Sequence, residues 1–171
     1  LIEAMAVVAS ETFTSTSAPI QYAAVRAFRG GIRIENYLRR SRQILHTICN
    51  HVLDRLTGIG AVVALPQGAF YMFPDFSPLK EKLVKRGIHT SGDMCEMLLE
   101  ETGVAILPGS AFGRPPEELT ARLALVDFDG AKALSMAEKY PDQEILPEEF
   151  LQNCCFKIVE ATERMCRWME K

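Results

Sequence analysis

The sequence of 171 residues lacks the features of several protein classes. Acidic and basic residues are mixed along the chain with a formal net charge of −3, and no basic cluster indicates a nucleic-acid or membrane partner. No apolar run approaches the roughly 20 residues that span a bilayer. We find no HExxH, Walker or GxSxG motif. The composition, 48% hydrophobic and 24% charged, is that of an ordinary globular protein.

Cysteine is present but is not arranged as a disulfide or metal framework. The five cysteines are an odd number, and none are spaced as CxxC. Disulfide scaffolds are usually small, secreted and dense in cysteine, so we expect free thiols and a cytoplasmic location. His46 and His51 are five residues apart and do not share a helical face, so no metal site is expected.

The beginning of the chain also lacks familiar signals. It opens on Leu1-Ile2-Glu3 without an initiator Met or the basic region of a signal peptide. A chain that starts in the middle of an apolar pattern looks like an excerpt from a longer protein.

Apolar periodicity predicts mostly helical structure. Spacings of three and four give one apolar stripe on a long helix over residues 33–57. A shorter helix is predicted from Ser17, as its N-cap, to about Phe28, whereas the Ser/Thr-rich residues 10–17 favour loops and caps. Further helices are predicted over residues 77–87, with Ser77 as cap, 91–102 and 147–169.

Four short strands are predicted by apolar, β-branched or aromatic runs between glycine and proline. They cover residues 61–65, 69–73, 104–107 and 121–126, and the first two are close enough to pair antiparallel. Because strands and helices are partly segregated along the chain, the predicted fold class is α+β.

Arg122 is the residue most suggestive of a binding site. It lies in an apolar strand between Ala121 and Leu123, close to the glycine-containing loop of residues 109–113. A guanidinium is rarely fully buried without a partner, and it binds carboxylates in a fixed bidentate geometry. The pattern alone fits two interpretations, an arginine on the solvent face of a strand or a carboxylate clamp at a cleft.

Three motifs stand in a distinctive order. They are Pro66-Gln67-Gly68-Ala69-Phe70-Tyr71, the run G-V-A-I-L-P-G-S-A-F-G from Gly103 to Gly113, and Ala121-Arg122-Leu123-Ala124. This order and spacing resembles the small domain of class I/II, fold-type I pyridoxal-phosphate (PLP) aminotransferases, the aspartate, alanine and aromatic aminotransferase group. Upstream, residues 15–21 are similar to the stretch that opens the helix after the family's cofactor lysine.

The resemblance implies a domain division and a set of site residues. Residues 1–30 would end the large PLP-binding domain, and residues 31–171 would form the small C-terminal domain, with a short, mostly antiparallel sheet and one long interdomain helix. The implied substrate-binding residues are Arg122, which grips the substrate α-carboxylate, Phe70, which lines the substrate pocket, and Gly68 in the same turn. Ser17 is implied at the cofactor site, near the active site of the partner subunit of a homodimer.

One departure bears on the substrate. Aspartate aminotransferases carry an arginine four residues before the serine that matches Ser17, and this chain has Phe13 there. An alanine-like, aromatic or broad amino-donor range is therefore expected at least as much as a dicarboxylate one.

The family's cofactor lysine has no counterpart in this chain. That lysine precedes the segment that residues 15–21 resemble, whereas the first lysine here is Lys80. The resemblance thus implies a parent enzyme that uses PLP, an amino acid and a 2-oxo acid. We expect the 171 residues alone to hold no catalytic residue and no cofactor, and to be inactive.

Two alternatives remain open from the sequence. The chain could be a non-catalytic interaction or regulatory module that kept the fold, or the small domain of another fold-type I PLP enzyme, such as a lyase or an acyl-transferring synthase. An Arg122 in a formed pocket would count against the first alternative, and an Arg122 turned to solvent would favour it.

Overall fold

The computed structural model describes residues 1–13 and 15–171, which form two compact units, Leu1–Leu38 and Arg39–Lys171. Its α-helices are α1 (Ile2–Thr12), α2 (Ala18–Phe28), α3 (Ile32–Gly58), α4 (Lys80–Lys85), α5 (Ser91–Thr102), α6 (Gly130–Ala137), α7 (Glu148–Cys154) and α8 (Phe156–Glu170). Its strands are β1 (Tyr71–Met72), β2 (Leu107–Pro108) and β3 (Ala121–Ala124), and short 3-10 helices cover Ser77–Leu79 and Gly109–Phe112.

The first unit is built from α1, α2 and the start of α3. The predicted helix ending at Phe28 is confirmed, with Ser17 at the N-cap position. The loop prediction for residues 10–17 is wrong over its first three residues, which belong to α1. There the hydroxyls of Ser10 and Thr12 donate to the carbonyls of Val7 and Val8, so they are satisfied inside the helix. Thr14 of that segment lies outside the described residues.

The long helix α3 confirms the clearest prediction from the sequence. Its buried stripe includes Ile44, Ile48, Val52 and Leu56, which are four residues apart and share one face. These side chains belong to the core of the second unit, together with apolar residues of α5, α8 and the sheet. The second half of α3 therefore packs into the same core as the sheet.

The sheet is antiparallel, in the order β1-β3-β2, and the α+β prediction is confirmed. The predicted pairing of residues 61–65 with 69–73 is wrong, because β1 pairs with β3. The first run contributes only an isolated bridge from Val62 to Asp75. Pro66 and Pro74 lie on either side of the run 69–73, and proline has no N–H to donate to a ladder.

The strand predicted over residues 104–107 starts later and is only two residues long, Leu107–Pro108. Ser77 does not act as a cap but begins a 3-10 turn, and its Oγ accepts from Leu119 N. The helix predicted over residues 147–169 is two helices, because Cys155 leaves the helical conformation at φ −126° and ψ 22°. Helix α6 was not predicted.

Burial raises the pKa of the five cysteine thiols, and most strongly those of Cys95, Cys155 and Cys166. The pKa of Cys95 and that of Cys155 are raised to about 12, and that of Cys166 to about 11, because a thiolate would lose its solvation there. The unfolded chain releases these protons near the ordinary pKa of 9.0. The folded state binds them more tightly, so their contribution to stability is complete below pH 9 and is lost as the pH rises through the folded-state pKa.

We therefore expect the free energy of unfolding to fall from pH 9 towards pH 11, with each thiol contributing at most about 1.4 kcal/mol per pH unit. Urea unfolding at a series of pH values measures this slope. The matched control is the variant with Cys95→Ala, Cys155→Ala and Cys166→Ala, which should be less stable throughout but should have a shallower slope. Equal slopes for the two proteins would contradict the prediction.

Candidate functional site

Arg122 occupies the outward face of the central strand. Along β3, Ala121 and Leu123 are buried in the core, and the alternation of a strand directs Arg122 to the opposite face, where it is half-buried. Its position in the ladder is fixed by pairing with Leu107 of β2. The backbone therefore holds this arginine between two neighbouring strands.

Two aromatic rings flank the Arg122 guanidinium. Its Cζ lies 4.5 Å from the centroid of the Tyr71 ring and 4.5 Å from the centroid of the Phe112 ring. Tyr71 belongs to β1, and Phe112 ends the 3-10 turn that follows β2, so the two rings come from opposite sides of β3. Both distances are within the roughly 6 Å over which a ring face attracts a cation.

The Arg122 guanidinium differs from the other half-buried guanidinium groups. Arg40, Arg86 and Arg122 are the half-buried arginines of the described residues. Arg40 pairs with Glu138, and Arg86 lies 3.7 Å from a carboxylate oxygen of Glu101. No carboxylate in the described part of the chain is within salt-bridge distance of Arg122. Its N–H donors are therefore available to a carboxylate that is not part of these residues.

Phe70 packs against Tyr71, one of the two rings beside Arg122. Its ring centroid lies 4.5 Å from that of Tyr71, and its carbonyl accepts from Leu125 N at 2.9 Å. The side chain is half-buried. The structure thus brings Phe70 next to the ring that contacts Arg122.

Gly68 lies in a different environment. It lines a cleft of about 590 Å³ between α3, the turn of residues 66–69 and the loop of residues 141–144, and Arg122 does not line that cleft. Gln43 of α3 is buried at its wall and donates through Nε2 to the carbonyls of Tyr140 and Gln143. Burial also raises the pKa of the Cys49 thiol in the same wall.

Ser17 belongs to the first compact unit and is exposed. It precedes α2, and its carbonyl accepts from Ile20 N and Gln21 N, but its side chain makes no capping bond. The hydroxyl is thus not used to cap the helix.

The sequence did not single out Tyr71 and Phe112 as site residues. Tyr71 is 45% exposed. The available signal was the alternation of Tyr71 and Phe73, which puts both on the face opposite Met72. Their proximity to Arg122 depends on the sheet register, which the sequence did not provide.

Among the described residues, no group of three or more His, Cys, Asp or Glu side chains is placed to hold a metal ion. In the same residues, no helix combines the length and apolar character needed to cross a membrane.

Comparison with known proteins points to one family. The family profile described as aminotransferase class I and II matches residues 1–127. The chain is 35% identical over 116 residues to the aspartate aminotransferase of Geobacillus stearothermophilus, an alignment that covers 67% of this chain and 28% of that protein. The chain thus spans less than a third of that curated relative.

Two solved aminotransferase structures are also similar to this chain. The aromatic aminotransferase from Pyrococcus horikoshii OT3 is similar with a TM-score of 0.59 and 28% identity, over 88% of this chain and 31% of that one. The tetra mutant 1 of Thermus thermophilus aspartate aminotransferase is similar with a TM-score of 0.61 and 25% identity, over 97% of this chain and 35% of that one.

Proposed function

Because this chain belongs to the class I and II aminotransferase family, we propose that it forms the C-terminal part of an enzyme that transfers an amino group between an amino acid and a 2-oxo acid. The observation that carries this proposal is the guanidinium of Arg122, which is half-buried, flanked by two rings and free of a carboxylate partner in the described residues. Arg122 binds the α-carboxylate that every such substrate has.

Carboxylate binding by Arg122 serves orientation as well as affinity. A guanidinium can donate two parallel N–H bonds to the two oxygens of a carboxylate, which fixes both the position and the rotation of the group. Fixing the carboxylate places the substrate α-carbon relative to the rest of the active site. In this proposal Phe70 lines the substrate pocket next to Tyr71. Gly68 belongs to the substrate site, and Ser17 belongs to the cofactor site.

We propose that the residues of this chain are not sufficient by themselves to hold PLP. The cofactor needs a lysine in this family, and the lysines here begin at Lys80, whose Nζ donates to the Glu117 carbonyl. Lys132 and Lys157 are likewise engaged, with the Asn153 carbonyl and the Asp127 carboxylate. We therefore propose that other residues of the parent enzyme hold PLP, and that the 171 residues alone do not transaminate.

Further parts of the proposal concern the parent enzyme. It would be a cytoplasmic homodimer, and residues 1–30 and 31–171 would belong to its large and small domains. It would have no nucleic-acid or membrane partner. The half-buried, ring-flanked Arg122 favours this function over a non-catalytic module, for which a guanidinium turned to solvent was expected.

The proposal predicts that a 2-oxo acid protects Arg122 from chemical modification. Phenylglyoxal reacts with accessible guanidinium groups, and a carboxylate bound to the in-plane donors should block it. We expect pyruvate to slow modification of Arg122 severalfold, as followed by mass spectrometry of the peptide that contains it.

Arg167 of α8 provides the control in the same sample, because it is exposed and has no carboxylate partner in the part of the chain that the structure describes. Its modification should not respond to pyruvate, and neutral acetamide should protect neither residue. Equal protection of Arg167 and Arg122, or none at Arg122, would contradict the proposed role.

A further inference from the structure

The loop Pro108–Gly113 has no role in the function proposed so far. We propose that this loop is a positioning device: it places Phe112 so that Phe112 and Tyr71 together hold the Arg122 guanidinium in one orientation. Phe112 and Tyr71 are thus positioning residues that act through Arg122. This inference rests on the proposed function, in which Arg122 binds a carboxylate.

The first support is the way that rings restrain a guanidinium. The N–H donors of arginine lie in the plane of the group, so a ring that covers a face leaves the donors free. A carboxylate partner would restrain the group equally well but would occupy those donors. The Tyr71 and Phe112 rings carry no carboxylate oxygen, so they do not compete with a carboxylate ligand for those donors as Glu138 does at Arg40.

The second support is the construction of the loop. Gly109 is buried, and its N–H donates to the Thr120 carbonyl at 2.8 Å, which attaches the loop to the chain entering β3. Gly113 closes the turn in the left-handed conformation, at φ 79°, and donates to the Ser110 carbonyl. Phe112 lies between these two fixed points.

A further anchor ties the loop to helix α5. Ser91, the first residue of α5, is buried, and its Oγ donates to Ser110 Oγ at 3.2 Å and accepts from Ser110 N at 3.4 Å. Phe73 also packs edge-on against Phe112, with ring centroids 5.9 Å apart and planes at 85°. These contacts fix the Phe112 ring although it is 41% exposed.

The Tyr71 ring is fixed on the other side of strand β3, on the same face of the sheet. Tyr71 pairs with Ala124 in the ladder between β1 and β3, and the Phe70 ring packs against it. Two independent segments thus converge on Arg122, and the guanidinium lies equally far from both ring centroids. A solvent-facing arginine without a role would not require either arrangement.

The test is the mobility of the Arg122 side chain, measured as the NMR order parameter of its Nε–H bond in the 171-residue chain. On the scale where about 0.85 is rigid and less than about 0.6 is flexible, we expect a rigid value for the wild type. Phe112→Leu keeps an apolar side chain but removes the ring face, and should bring Arg122 into the flexible range. Phe112→Tyr should restore rigidity.

Phe156→Leu is the matched control, because Phe156 is also exposed, at 55%, but belongs to α8 and not to the ring cluster. It should leave the Arg122 order parameter unchanged. Backbone amide spectra identify any variant that loses its fold, and Tyr71→Leu then serves as the second variant, with the same expected loss. An order parameter that stays rigid in folded Phe112→Leu and Tyr71→Leu overturns the inference.

A pyruvate titration of the wild type separates this inference from the proposed function. If the Arg122 Nε–H signal shifts with pyruvate but its mobility is independent of Phe112 and Tyr71, Arg122 binds the carboxylate and the positioning role is wrong. If the mobility depends on the rings but the signal does not shift, the rings orient Arg122 and the carboxylate-binding function is wrong.

Discussion

Replacing Arg122 with alanine is expected to lower kcat/KM for amino transfer by roughly 30-fold or more in the enzyme that contains this chain. Truncating one partner of a hydrogen-bonded charge pair costs roughly 2–5 kcal/mol, and each 1.4 kcal/mol is about tenfold in rate. The loss should appear for every amino donor, because all of them present the same α-carboxylate.

Arg122→Lys tests whether positive charge alone is sufficient. Lysine keeps the positive charge but offers no planar fork, either to a carboxylate or between the rings of Tyr71 and Phe112, so much of the activity should still be lost. Arg55→Ala is the matched control, since Arg55 forms an exposed pair with Glu163 at 2.6 Å and should change kcat/KM by less than about twofold. An Arg122→Ala enzyme as active as the control would mean that the carboxylate binds elsewhere.

The second large effect is on stability and concerns Gly109. A Cβ added there would lie 3.0 Å from Thr120 Cβ and 3.1 Å from the Thr120 carbonyl oxygen, and closer still to the hydroxyl. Rotating the Thr120 side chain relieves only the last of these clashes, because the other two involve atoms fixed by the backbone. We expect Gly109→Ala to cost about 3 kcal/mol, at the upper end for overpacking.

Thermal unfolding measures this cost, which corresponds to a fall of roughly 6–12 °C in Tm for a chain of this length. Gly130→Ala is the control, because Gly130 opens helix α6 and a Cβ there meets nothing within 4 Å. It should stabilise the protein by about 0.5–1 kcal/mol, since alanine is the better helix former. A Gly109→Ala protein as stable as the wild type would show that the turn relaxes, and the fixed placement of Phe112 would then be in doubt.

The helices could be predicted from the sequence wherever one periodic stripe defined them. Helix α3 differs from its predicted range of 33–57 by one residue at each end, because apolar residues recur every three or four positions along its 27 residues. Helix α6 lacked such a stripe. Only its alanines at 133 and 137 are buried, and alanine is a weak signal of amphipathicity.

The sheet was harder to predict, since its pairing is non-local. Two of its strands have two residues each, and both pair with β3, which follows them along the chain. Local patterns identified strand-forming runs, but residues 61–65 contribute only the isolated bridge from Val62 to Asp75. The site was equally hard to predict. The alternation of strand residues places Arg122 on one face of the sheet, but only the pairing of the strands brings Tyr71 and Phe112 close to Arg122.

The most direct test of the central claim is a crystal structure of the whole enzyme with a bound substrate-like 2-oxo acid. We predict that the two carboxylate oxygens accept in-plane N–H bonds from Arg122, with N–O distances of roughly 2.7–2.9 Å, while Tyr71 and Phe112 keep their places against the guanidinium. A ligand whose carboxylate is held by another cation, with Arg122 stacked between its rings and unbound, would contradict the account.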